Sequence, residues 1–381
     1  MKKKKRRAIT KEELVATTPK EKARAKKAAD KKESSKTQGL DDFLEKEFGP
    51  AGLHEVHGHV STGCLMWDLA MGAGFPYGHI TVLQGKDGGG KTVTALMACK
   101  MAMLAGGTAV FLDAEARLAK SLVVKYIGFN PEDPNFRYYY MQKDGSPLNL
   151  EYTMNLLDSV VERWKGPGPL VAVVDSIAVL RSKQQSEDMD DKRQMGLVAN
   201  KWSHYITNGL IAKIRGRDIV VILINQVRQE VNFFQVGPPK DVGAAGGRAL
   251  KHAASLRVNV EGIPFGSDEV LKNRKFDKDY GKCIKLFVDK NTVSPPNRSG
   301  IVPYFYYPTY GCLGLDNIMS MMAYLNAKEK LNHTGSGWYE FGGHKIQGWC
   351  EMRDFIRDND SVRKVCEELV VKTYAEQYNL L

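Results

Sequence analysis

No apolar run in these 381 residues approaches the length needed to cross a bilayer, and no apolar segment follows the opening MKKKKRR. Neither a membrane span nor a secretory signal is therefore expected. Cysteine is sparse: Cys64, Cys99, Cys283, Cys312, Cys350 and Cys366 are scattered, with no CxxC pair and no Cys/His grouping at metal-ligand spacing. That argues against a disulfide framework and a structural zinc site, and it suits free thiols in a reducing, cytoplasmic compartment. Net charge is also nearly missing from most of the chain. Beyond residue 37 there are forty Lys/Arg against thirty-nine Asp/Glu, so the overall +11 is carried by residues 1–37, with fifteen against five.

The basic segment, from MKKKKRR through KEKARAKKAADKKESSK, has too few large apolar residues to bury a core. It reads as a disordered tail over 1–39 that seeks polyanions, or as a solubilising extension. The rest is long enough for one large domain and a smaller one. LDDFLEKEF spaces Leu40, Phe43, Leu44 and Phe48 as one apolar face of a short helix that docks on a partner. From residue 57, apolar runs such as HITVLQ, TAVFLDAE, PLVAVVDSIAVL and DIVVILINQ alternate with helical patterns such as TVTALMACKMAMLA. Continuous apolar strands joined by helical crossovers predict an α/β fold with a mainly parallel twisted sheet. CIKLFVDK and GIVPYFYY read as strands without long helices between them and are expected to extend the sheet antiparallel. A small α+β domain is expected over 312–381, leaving the core at 57–311.

GKDGGGKT, Gly85 to Thr92, follows a strand and opens a helix. Phosphates need successive backbone N–H groups pointing inward, which glycine-permissive geometry allows, and they gain from a helix N-terminus. Gly85, Lys86, Asp87, Gly88, Gly89, Gly90, Lys91 and Thr92 are thus the candidate phosphate loop of a P-loop nucleotide-binding core. Lys91 would reach the β/γ-phosphates and Thr92 would bind Mg²⁺. VAVVDSI ends a strand in Asp175, where a carboxylate can hold the same Mg²⁺ through water. FLDAE offers Glu115 as the base that polarises an attacking water, with Asp113 as competitor or structural cap. LINQVR ends a strand in Asn225 and Gln226, whose amides can sense a γ-phosphate. The loop that follows, QEVNFFQVGPPKDVGAAGG, puts two phenylalanines among glycines and prolines, which suits a surface that meets a partner or aromatics packed at a subunit interface.

STGCLMWDLAMGAG, GKDGGGKT, FLDAE, VVDSIAVL, MGLVAN, INQVR and GGRALKHAASLRV, in this order, resemble the bacterial and phage RecA recombinases from about residue 40 to about residue 376. AKEKL…GSGWYEFGGHKIQG is similar to that family's C-terminal domain. The resemblance implies a RecA-like ATPase core, a polymerisation helix segment over 40–56 and a DNA-binding C-terminal domain. It implies a DNA-dependent ATPase that uses ATP and Mg²⁺, forms helical filaments on single-stranded DNA with ATP at subunit interfaces, pairs that strand with homologous duplex and exchanges strands. Glu115 would be the catalytic glutamate and Gln226 the residue that couples ATP to DNA. One DNA loop would include Met195 and Gly196. The second would use Arg228, Val231, Phe233, Phe234, Gly246, Gly247 and Arg248. The alternatives are a motor of the same core, such as a helicase, and a DNA-binding protein with a degenerate ATPase.

The chain also departs from the family. Where the family has two lysines that reach a neighbouring subunit's γ-phosphate, DKNTVSPP keeps Lys290 and replaces the second with Thr292. Downstream of Glu115, the family's adenine-binding Asp and Tyr are not in register, and Tyr126 is out of step. The sequence ends AEQYNLL without the family's acidic tail and carries the basic segment instead. Both changes favour tighter, more salt-sensitive duplex binding.

Overall fold

The computed structural model describes residues 56–183, 198, 200–226, 228–229, 241–242, 250, 253–265 and 278–380. The expected tail over 1–39 and all but residue 56 of the expected helix segment over 40–56 lie outside the described residues.

A ribbon of β1 (His59–Val60) and β2 (Phe75–Pro76) precedes the main sheet. That sheet takes β3 (His79–Gly85), β4 (Thr108–Asp113), β5 (Phe136–Tyr139), β6 (Leu170–Asp175) and β7 (Ile219–Gln226). After the short antiparallel pair β8 (Arg228–Gln229) and β9 (Asp241–Val242), it is completed by β10 (Leu256–Ile263), β11 (Gly281–Asn291), β12 (Arg298–Phe305) and β13 (Gly314–Leu315). Its nine strands run in the order 13-12-11-10-3-7-6-4-5. Every pairing from β10 across to β5 is parallel. Every pairing from β10 out to β13 is antiparallel, the wing expected from CIKLFVDK and GIVPYFYY.

The two halves differ in sequence for a physical reason. β6 is buried at all of its positions and β7 at all but the last, because a parallel strand covered on both faces needs apolar side chains on each. Val171, Val173, Val220 and Ile222 pack with Leu96 and Ala102 of the helix Lys91–Leu104. Ala172, Val174, Val221 and Leu223 face the opposite cluster, with Leu157 and Trp202. β10 instead alternates, burying Leu256, Val258 and Val260 and leaving Arg257 and Asn259 partly exposed.

Local signals set the crossovers. Asn149 caps the helix Leu150–Arg163 by accepting from the Tyr152 N–H at 2.9 Å. The helix Leu65–Met71 stops at Gly72, whose φ of 85° is left-handed. Ser61 and Thr62 donate to Asp68 within this helix.

The C-terminal residues form the helix Asn317–Ala327, an antiparallel sheet of β14 (Asn332–His333), β15 (Trp338–Phe341) and β16 (His344–Gln347), and the helices Trp349–Asp358 and Asp360–Gln377. Their methionines Met319, Met322 and Met352 share a third apolar cluster with Phe305 and Cys283 of the antiparallel wing. Asp316 caps the first of these helices through the Met319 N–H and pairs with the buried Arg353 at 3.0 Å. All six cysteines are free thiols. No described helix is long and apolar enough to cross a membrane, and no group of metal-ligating side chains stands together among the described residues.

Candidate nucleotide-binding site

Strands β3, β4, β6 and β7 are neighbours or near neighbours in the sheet and point the same way, so their C-terminal ends deliver side chains to one edge. A ligand crevice at that edge is the usual outcome of an open parallel sheet. Here it is a cavity of about 400 Å³, bounded by the glycine loop after β3, Glu115 after β4, Asp175 at the end of β6 and Gln226 at the end of β7.

The loop joins β3 to the helix Lys91–Leu104. Gly85 leaves β3 with a φ of 155°, and a Cβ there would stand 2.1 Å from the Val260 carbonyl oxygen. Gly90 caps the next helix at a φ of 108°, a left-handed conformation that L side chains rarely adopt. Lys91 is buried and curls back over the loop, donating to the carbonyls of Lys86 at 2.7 Å and Gly85 at 3.0 Å. Burial holds its ammonium below the ordinary lysine value, opposed by Asp87, Asp175 and Glu115 nearby. Gly85 and Lys86 thus enter the site through carbonyls that anchor Lys91, while Asp87 through Thr92 line the cavity itself.

Thr92 donates its hydroxyl to Asp175 at 2.7 Å. Burial pushes the Asp175 carboxyl up to about 6; the Thr92 hydrogen bond works against that, and the charges of Glu115 and Asp113 add to it. Two hard oxygen donors at the mouth of a phosphate loop fit a Mg²⁺ ion, which keeps most of its waters and takes few protein ligands.

The two acids of FLDAE have different surroundings. Asp113 is buried and accepts the N–H groups of Glu115, Arg117 and Leu118 and the hydroxyl of Tyr138, so it serves as the cap of its own loop. Glu115 faces the cavity instead. Its Oε1 accepts from Ser176 at 2.8 Å and from the Gln226 amide at 2.7 Å, and Arg117 stands 3.4 Å from its Oε2. Of the two amides ending β7, Gln226 reaches the cavity, whereas Asn225 is buried within the sheet.

Lys290, near the far end of β11, and Thr292, just past it, do not line the cavity of their own chain. A role for Lys290 at a phosphate therefore needs a second subunit. Tyr126 packs its ring 5.9 Å from Tyr304 and donates to the Tyr306 carbonyl, while Tyr304 itself borders the cavity. Arg228 is described only as part of the short β8 strand, which pairs with β9 at Val242. Met195, Gly196, Val231, Phe233, Phe234, Gly246, Gly247 and Arg248 lie outside the described residues.

Lys282 and Tyr304, which line the cavity, and Ser176, which lies behind it and donates to Glu115, were not singled out from the sequence. Ser176 follows Asp175 through a cis peptide bond. Lys282 and Tyr304 face each other across β11 and β12, and their shared register was the only available signal.

The sequence model described as the RecA N-terminal domain matches residues 44–308. A protein RecA of Leptospira meyeri is 30% identical over 355 residues, covering 90% of this chain and 84% of its own length. A protein RecA of Streptococcus agalactiae serotype III (strain NEM316) is 31% identical over 339 residues, with 85% and 82% covered. A protein RecA of Xanthomonas campestris pv. campestris (strain B100) is 28% identical over 328 residues, with 84% and 88% covered.

Proposed function

The chain belongs to the RecA family, and we propose that it is a cytoplasmic recombinase, a DNA-dependent ATPase that assembles on single-stranded DNA, pairs it with homologous duplex and exchanges strands. The observation that carries the reading is the convergence of Lys91, Thr92, Asp175, Glu115 and Gln226 on one cavity at the carboxyl edge of the sheet.

ATP is the nucleotide this reading assigns to the cavity. The loop amides from Gly88 to Thr92 receive the phosphates, and Lys91 exchanges its two loop carbonyls for phosphate oxygens. Thr92 and Asp175 would hold Mg²⁺, which would supply neutralisation of phosphate charge. Glu115 takes a proton from the attacking water, with Ser176 and Gln226 fixing its orientation. Gln226 ends β7 a few residues before Phe233 and Phe234 in the chain, so a change at the phosphates would have a short covalent route to the segment proposed to meet DNA. That segment would stack bases on aromatic rings and meet the backbone through Arg228 and Arg248, with Gly246 and Gly247 allowing close approach. Met195 and Gly196 serve the other loop, Lys290 acts from a neighbouring subunit, and residues 312–381 form the duplex-binding domain.

The test mixes the full chain with ATP, Mg²⁺, a labelled single strand and either homologous or unrelated duplex, and follows joint molecules at two salt concentrations. Joint molecules with homologous duplex alone are expected. Their absence, with hydrolysis still faster on DNA, would favour a motor built on the same core.

A further inference from the structure

Lys282 stands on β11 opposite Tyr304 of β12, and both side chains border the nucleotide cavity. Its ammonium donates to the carbonyl oxygen of Gly88, in the middle of the glycine loop. The reach depends on bare backbone at Gly262 of β10. A Cβ there would stand 3.1 Å from Lys282 Cδ, 3.3 Å from its Nζ and 3.3 Å from the Gly88 oxygen. The absence of a side chain at Gly262 thus leaves the channel along which Lys282 crosses from the antiparallel wing to the loop.

Burial, and after it the positive charge of Lys91, hold the Lys282 ammonium below the ordinary lysine value. Lys91 has Asp87, Asp175 and Glu115 around it. Lys282 has a neutral carbonyl for its hydrogen bond and forms no ion pair with a described carboxylate. Two partly desolvated cations that converge on one phosphate loop repel each other until an anion joins them. A nucleoside polyphosphate is the anion the loop is shaped to take.

We propose that Lys282 is a phosphate ligand of this site, reaching the polyphosphate across the loop from within the same subunit. The inference rests on the nucleotide reading above and adds to it a second cation supplied by the antiparallel wing, outside the loop motif. Lys282 then exchanges the Gly88 carbonyl for a phosphate oxygen, as Lys91 exchanges its own carbonyls.

The test is equilibrium binding to the full chain without DNA, comparing wild type, Lys282→Met, Lys282→Arg and Lys91→Ala, with ATP as ligand and pyrophosphate or adenosine as competitor. Loss of one charge-assisted contact should weaken ATP and pyrophosphate roughly ten- to hundredfold in Lys282→Met. Adenosine should compete unchanged, and Lys282→Arg should restore most of the loss. ATP binding equal to wild type in Lys282→Met, or equal weakening of ATP and adenosine, would overturn the proposal. If Lys91→Ala alone weakens ATP, the nucleotide reading survives and this inference fails. If wild type itself does not bind ATP, both fail.

Discussion

The Gln226 amide and the Ser176 hydroxyl donate to the same oxygen of Glu115, at 2.7 and 2.8 Å. One carboxylate oxygen is thereby held from the end of β7 and from the residue that follows β6. A shift of Gln226 would therefore bear directly on Glu115.

Two variants separate those roles. Glu115→Gln keeps the shape of the side chain but removes its capacity to accept a proton, so the turnover number should fall about 10²- to 10⁴-fold while ATP still binds. Gln226→Ala leaves the carboxylate and removes its link to β7, so the stimulation of hydrolysis by single-stranded DNA should be lost. Steady-state hydrolysis with and without DNA reads both effects. If Gln226→Ala kept full stimulation, the coupling would run by another route.

Asp68 gives a stability prediction with a defined sign. Burial pushes its carboxyl up to about 6, against the Ser61 and Thr62 hydrogen bonds that pull it down. The unfolded chain releases that proton near the ordinary aspartate value of about 3.9. Between these values the folded state holds more protons, so this contribution to stability is complete below about pH 4 and is lost as pH rises through about 6. The neighbouring Cys64 thiol is pushed up by burial and stays neutral over this range. Urea denaturation of wild type and Asp68→Asn at several pH values should show wild type losing about 3 kcal/mol relative to the variant across that window. A constant difference would show that Asp68 is not desolvated.

Much of the site could be read from the sequence because its parts are local. Strand, glycine turn and helix start lie within HITVLQGKDGGGKT, Asp175 and Gln226 each end an apolar strand run, and Glu115 follows one by two residues. The parallel block was legible for the same reason: strands buried on both faces, such as LVAVVD, have a distinctive composition. What could not be read depends on register between distant strands. Lys282 enters the cavity because β11 pairs with β12 and because Gly262 of β10 leaves room, and neither fact has a signature near residue 282. The division of labour between Asp113 and Glu115 was likewise open until the three N–H groups turned toward Asp113 were seen.

The pair Arg353 and Asp316 anchors the C-terminal helices, with side chains only 1% and 5% exposed. Arg353→Met leaves Asp316 buried without its counter-charge and should cost about 3–5 kcal/mol. Asp316→Asn keeps the helix cap at Met319 while removing the charge. Combining it with Arg353→Met should therefore cost less than the two single changes together. Denaturant midpoints of the four proteins form the cycle that measures the coupling. Additive losses would mean that the pair contributes packing alone.

Charge distribution makes the last prediction. Residues 1–37 hold fifteen Lys/Arg against five Asp/Glu, while the rest of the chain is nearly neutral. Each phosphate neutralised by a cation steepens the decline of log affinity with log salt by about 0.9 for duplex DNA. If the segment binds DNA, deleting it should flatten that slope by several such increments and weaken duplex binding most at low salt. If Phe233 and Phe234 stack on single-stranded bases as proposed, single-strand binding should be less affected, since stacking on aromatic rings releases no counterions. DNA-stimulated hydrolysis at saturating single strand should persist, because the phosphate, metal and carboxylate groups of the nucleotide cavity come from Lys91, Thr92, Asp175 and Glu115. An unchanged slope would assign the basic residues to solubility, and affinity for duplex would then have to come from charges clustered elsewhere on a nearly neutral body.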